Sequence, residues 1–166
     1  MAINTVTVKR RKGFDFPKRI TSGSVLVGLP ANSDPYPDGT SVVQVATDHE
    51  FGSDMPRTYT STRGNTVSVS GIPERSFMRS TSKEQRGKWG DIAAKGIRDA
   101  ITGNGKTKDI LGALGEIAAS DVKQKITSIS TPPNSPQVIA DKGSSNPLID
   151  TGHMRQAITF IVKEKE

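Results

Sequence analysis

The chain has 166 residues, 33% of them hydrophobic and only 5% aromatic, which suits one modest core with long loops and leaves no room for two full domains. It has no cysteine, so disulfides, thiolate zinc sites and cysteine nucleophiles are excluded, as fits a reducing cytosol. The net charge of +6 is concentrated at the start, where residues 1–20 hold Lys9, Arg10, Arg11, Lys12, Lys18 and Arg19 against Asp15 alone.

That segment reads as a basic N-terminal arm, residues 1–20, ahead of a single domain over 21–166. Such a block attracts phosphate backbones by counterion release and reads charge, not sequence. The plainer alternative is a solvated or subunit-bridging arm. No apolar run approaches the roughly 20 residues that span a bilayer. The opening residues also lack the basic-then-apolar order of a secretory signal, so a cytoplasmic protein without membrane contact is expected.

Three short runs read as strands: Thr5-Val6-Thr7-Val8, Ser24-Val25-Leu26-Val27-Gly28-Leu29 and Ser41-Val42-Val43-Gln44-Val45-Ala46. Between the second and third, prolines and an Asp-Gly pair mark an irregular loop. In a polar insert over residues 53–70, Thr58-Tyr59-Thr60-Ser61-Thr62 and Thr66-Val67-Ser68-Val69-Ser70 flank Arg63-Gly64-Asn65, the pattern of a protruding β-hairpin. Helical spacing follows. Trp89, Ile92, Ala93, Gly96, Ile97, Ala100 and Ile101 form one stripe, with a capping box at Thr81/Glu84 or Ser82/Gln85. A second helix is expected over about 107–128, carrying Ile110, Leu111, Leu114, Ile117, Ala118, Val122, Lys125 and Ile126 near one face. The prolines of Thr131-Pro132-Pro133-Asn134-Ser135-Pro136 turn the chain away, and Ala157-Ile158-Thr159-Phe160-Ile161-Val162-Lys163 reads as a closing strand. This order predicts an α+β fold: an antiparallel or mixed sheet with two amphipathic helices packed on one face.

The sharpest chemical motif is Ala100-Ile101-Thr102-Gly103-Asn104-Gly105-Lys106-Thr107, a phosphate-loop pattern with alanine in the first glycine position. A phosphate loop needs a strand at its entry, and here an amphipathic helix enters. We read it as a turn between helices, with Thr107 as N-cap. The two histidines, His49 and His153, each have carboxylates beside them, but neither spacing supplies the three converging ligands of a catalytic metal. Both read as histidines hydrogen-bonded in turns. No serine sits in a nucleophile-elbow context, and no helix-turn-helix, zinc finger or stacking platform is present. A non-enzyme without cofactor or metal is expected.

Four segments, taken in order, carry a resemblance: Val25-Leu26-Val27-Gly28-Leu29-Pro30; Val45-Ala46-Thr47-Asp48-His49-Glu50-Phe51-Gly52; Gly71-Ile72-Pro73-Glu74-Arg75-Ser76-Phe77-Met78-Arg79; and Asn146-Pro147-Leu148-Ile149-Asp150-Thr151-Gly152-His153-Met154-Arg155. Together they resemble the neck and tail-completion proteins of lambda-like and Mu-like tailed bacteriophages. In that family a His-Glu-Phe-Gly element precedes an Ile-Pro-x-Arg-x-Phe element, two helices, a Pro-Leu-x-x-Thr-Gly turn and a closing strand. The departures are the basic arm and the insert over 53–70.

The resemblance implies a virion structural subunit, assembled in the host cytoplasm, that forms a homo-oligomeric, hexameric ring. The ring would lie at the neck or head-proximal tail end, among head-closure, tail-terminator or tail-tube proteins, and leave a channel for DNA. The motif residues are then His49, Glu50, Phe51, Gly52, Ile72, Pro73, Phe77, Pro147, Leu148, Thr151 and Gly152. Gly52, Gly71 and Gly152 are candidates for positive φ, and Phe51, Phe77 and Leu148 for core anchors. Lys9, Arg10, Arg11, Lys12, Arg75, Arg79 and Arg155 are candidates for inter-subunit or DNA-channel contacts. The rival is a module that binds DNA non-specifically through the basic arm, with genomic DNA as its partner.

Overall fold

A computed structural model describes residues 2–8, 22–60, 64–103 and 105–165. The elements run β1 (Ala2–Val8), β2 (Ser22–Gly28), α1 (Val42–Phe51), β3 (Arg57–Thr60), β4 (Thr66–Val69), α2 (Met78–Ile101), α3 (Thr107–Ser128), α4 (Pro136–Lys142), α5 (His153–Ala157) and β5 (Thr159–Lys165). The fold is α+β. One antiparallel sheet has the order β1-β2-β5, and β3 and β4 form a separate antiparallel pair.

β2 is the central strand, and its burial alternates along its whole length, with Val25 and Val27 turned inward. That alternation is what a sheet covered on one face requires. The cover is α3, which lies across β2 and β5, while α2 packs on α3 and reaches β1. Leu111, Leu114, Ala118, Val122 and Ile126 form the buried stripe of α3, and Trp89 and Ala93 that of α2. Each aliphatic side chain of leucine or valine size contributes about 1.5–3 kcal/mol when fully buried. α3 sits so close to the sheet that a Cβ on Gly115 would lie 2.2 Å from the ring of Phe160. Trp89 Nε1 donates to Asp121 Oδ2 at 2.8 Å, and Lys88 pairs with the same carboxylate, which satisfies the one polar atom of the buried indole.

Three features differ from what the sequence pattern predicts. The run Ser41-Val42-Val43-Gln44-Val45-Ala46 is not a strand but the start of α1: Ser41 caps it by accepting from the Gln44 amide, and Val42, Ala46 and Glu50 form a buried stripe at four-residue spacing. A short apolar run carries no decisive period by itself. Secondly, α2 begins at Met78 and not at a box around Thr81 or Ser82; Thr81 is buried and donates to the Phe77 carbonyl at 2.6 Å. Thirdly, Lys106 and not Thr107 is the N-cap of α3, with Thr107 buried as the first helical residue. The short helices α4 and α5 carry no sequence signal strong enough to predict them, and Ala157 belongs to α5, so the closing strand starts at Thr159. α4 begins on Ser135, whose side chain accepts from the Val138 amide, with Pro136 in the first turn.

Candidate functional site

α1 ends in the buried carboxylate of Glu50, which is fully inaccessible to solvent. Phe77, the N-cap of α2, has no side-chain cap of its own. Glu50 reaches across instead. Its Oε2 accepts from the Met78 amide at 2.8 Å, and its Oε1 from the Arg79 amide at 2.9 Å, from Ser76 Oγ at 2.8 Å and from Arg79 Nε at 3.0 Å. A carboxylate on the first-turn amides of a helix satisfies orphan donors and complements the helix dipole. Residues 28 and 29 positions apart are thereby joined. Arg79 also donates to the Glu50 carbonyl at 2.6 Å and to Glu74 at 2.7 Å, and its guanidinium lies 4.6 Å from the centre of the Phe51 ring.

Close by, Arg75 is 4% exposed. Its amide donates to the His49 carbonyl at 2.6 Å, its Nε to the Pro132 carbonyl at 2.7 Å, and its Nη2 to the Pro133 carbonyl at 3.0 Å and to Asn134 Oδ1 at 3.3 Å. Nη1 faces His49 Nδ1 at 3.3 Å, so the imidazole is neutral and accepts there. Burial, then the positive charges of Arg75 and Lys142, push the His49 pKa down to about 3. Burial likewise lowers Lys142, which donates to the carbonyls of Asn146 at 3.1 Å and Pro147 at 3.5 Å. The result is a clamp: the end of α1, the entry to α2 and the proline turn at 132–134 are held by Glu50, which accepts from helix amides, and by Arg75, which donates to main-chain carbonyls.

Glycines complete it. Gly52 has φ 76°, and a Cβ there would come within 3.3 Å of the Ile72 carbonyl. Gly71 does not have positive φ, contrary to expectation; it is required because a Cβ would approach the Ser53 carbonyl to 2.9 Å, where the Ser53–Ile72 bridge closes the base of the β3–β4 pair. Gly152 has φ 81° and starts α5. Beside it Thr151 Oγ1 accepts from the His153 amide, and His153 Nε2 meets the Asp34 carbonyl at 2.8 Å while its ring lies against Tyr36. Burial, then the charge of Asp150, raises the Tyr36 pKa to about 12.

Phe77 and Leu148 are buried as expected, but Phe51 is 48% exposed and is no core anchor, because its side of α1 faces Arg79 and solvent. Pro147 is buried, whereas Ile72 is partly buried and Pro73 exposed. Arg75, expected at a subunit or DNA contact, is instead enclosed and bonded within its own chain. Arg79 is half-exposed and ion-paired internally, and Arg155 is exposed on α5. Lys9, Arg10, Arg11 and Lys12 lie outside the described residues. The arm expected over 1–20 starts as β1, which pairs with β2 from Ala2 to Val8. Sequence reasoning missed Ser76 and Asn134 as clamp members; the only signal was the proline run, whose carbonyls have no helix or sheet to bond.

Among the described residues, no group of three His, Asp or Glu side chains converges as a metal site would require. The phosphate-loop-like segment joins two helices, with Gly103 at φ 111° and Gly105 at φ 125°. No helix of the described residues is long and apolar enough to cross a membrane. Comparison with known proteins returned no matching family model, no matching curated protein and no matching solved structure.

Proposed function

We infer that the protein is a structural subunit of a tailed-phage virion, forming a ring, six-membered by family resemblance, at the neck or head-proximal tail end, with a channel for DNA. It is not an enzyme in this reading. The observation that carries it is the clamp: two of the four resembling segments, His49-Glu50-Phe51-Gly52 and Ile72-Pro73-Glu74-Arg75-Ser76-Phe77, bond directly to each other. The shared motif is therefore a fold determinant, as a structural family requires of residues without chemistry. The test is light scattering on the purified full chain together with binding to isolated tail tubes. Ring-sized particles that cap tubes are expected; a strict monomer at high concentration that ignores tubes would sink the reading.

The charge surplus at residues 9–12 keeps non-specific DNA binding as a second reading. Deleting residues 1–20 cannot test it, because that removes β1 from the sheet. Replacing Lys9, Arg10, Arg11 and Lys12 with Gln leaves the strand intact. If DNA binding is the function, the slope of log affinity against log salt falls by about 0.9 for each phosphate that these side chains no longer neutralise.

A further inference from the structure

Two parts of the fold are incomplete in complementary ways. The first is the outer edge of the main sheet. β5 pairs with β2 over the seven residues Thr159–Lys165 without a break, whereas β1 on the opposite edge is interrupted by an irregularity between Ala2 and Asn4. β5 contains no proline and no glycine. α3 packs on its inner face, where Phe160 meets Gly115, and among the described residues no backbone bond reaches β5 from outside the β2 ladder. Bulges, prolines, edge charges and covering segments are the usual devices that keep a sheet edge from being extended. Among the described residues β5 has only the charges of its last three positions, Lys163, Glu164 and Lys165, and its first four, Thr159 to Val162, carry none of these devices. Thr159, Ile161 and Lys163 are exposed along it.

The second is the β3–β4 pair. It has two strands of four residues, joined to no other described strand and closed only by the Ser53–Ile72 bridge at its base. None of its described side chains belongs to the hydrophobic core. Thr58, Thr60, Thr66 and Ser68 share one face and are all exposed, with Thr58 and Ser68 bonded across the pair at 3.0 Å. Asn65 ties the far end to Asp141 on α4, on the body of its own subunit. A two-stranded hairpin is marginal in water unless a third strand or an apolar cover completes it. That row gives an apolar cover nothing to bury on its own face, Tyr59, Val67 and Val69 falling on the opposite one, and a third strand alongside is the completion that its outer main-chain groups can make.

We propose that the β3–β4 hairpin of one copy adds to the outer edge of β5 of a second copy, each subunit giving one hairpin and receiving one. The proposal rests on the ring reading above and names its contact. One donor and one acceptor per chain make a head-to-tail interface, the kind that closes by rotation into a ring. Main-chain bonds supply the affinity, as in other strand additions. The side chains agree: the threonine and serine row meets Thr159 and Ile161, pairings that favour a ladder, and brings no positive charge against Lys163.

Because the chain has no cysteine, cross-linking tests this directly. Thr58→Cys, Ser68→Cys and Ile161→Cys are made singly in the full chain. Under mild oxidation, a mixture of a hairpin variant with the β5 variant gives disulfide-linked dimers at least tenfold more abundant than either variant alone. Efficient self-linking of Ile161→Cys would mean that two β5 edges pair with each other and would overturn the proposal. Rings without any hairpin-to-β5 cross-link would overturn it too, while leaving the ring reading intact; a strict monomer would overturn both. As a second measurement, residues 57–69 are replaced by a short Gly-Ser turn. Loss of the ring with unchanged helical circular dichroism is expected, and rings that survive the replacement refute the contact.

Discussion

The Arg75 clamp and the β3–β4 hairpin lie next to each other in the chain and both are rich in polar residues, yet the fold buries one and exposes the other. In the clamp, polar side chains from distant segments answer one another: Glu50 has helix amides to accept from, and Arg75 has proline carbonyls to donate to. In the hairpin the answers come chiefly from across one pair of strands, and among the described residues no third strand joins it, only Asn65 reaching the body at Asp141. Polarity by itself therefore did not decide burial. What decided it was whether complementary donors and acceptors converge, since a buried polar group left without a partner costs about 1–3 kcal/mol.

If this contrast is right, its largest effect lies at Glu50. Glu50→Ala removes acceptors from two helix amides, Ser76 and Arg79, and should lower stability by about 3 kcal/mol or more, read as a shift of the urea midpoint without a change in slope. Arg75→Lys keeps the charge but cannot reach the Pro132 carbonyl, the Pro133 carbonyl and Asn134 together, and a drop of about 2 kcal/mol is expected in the same measurement. A value near zero for either variant would break the contrast.

A pH series sharpens it. In the folded chain His49 stays neutral down to about pH 3, whereas the unfolded chain takes up that proton near 6.5. Between those values the unfolded state binds more protons, so this contribution to stability is complete above 6.5 and is lost as pH falls, by about 1.4 kcal/mol per unit and about 2 kcal/mol by pH 5. In NMR titration the His49 ring should show no protonation shift between pH 8 and 5, and His49→Asn should flatten the stability profile over that interval. The smallest effect belongs to the hairpin. Thr58→Ala or Ser68→Ala should change monomer stability by no more than about 0.5 kcal/mol, because both side chains are exposed and bond only across the pair.

Much of the frame was legible beforehand. β2 alternates, and the stripes of α2 from Trp89 to Ile101 and of α3 from Ile110 to Ile126 repeat at helical spacing, so burial, local geometry and sequence pattern point the same way there. α1 was not legible, because Val42-Val43-Gln44-Val45-Ala46 fits a strand as well as a helix until Glu50 is known to lie on the buried stripe. The clamp was legible only as a set of motif residues. That Arg75 faces inward, that Phe51 faces outward and that Glu50 caps a helix 28 residues away all depend on contacts between segments that no local pattern encodes.

The sequence by itself determined the absence of thiol chemistry, the concentration of charge near the start, the α+β class and the positions of the two long helices. These follow from composition and from periods of two and 3.6, which act within a single segment. Only the tertiary structure decided which arginine is enclosed, which strands are the outer ones of the sheet and why Gly71 tolerates no Cβ. Those outcomes depend on where separate segments meet, and a buried hydrogen bond or an uncovered strand edge exists only once they have met.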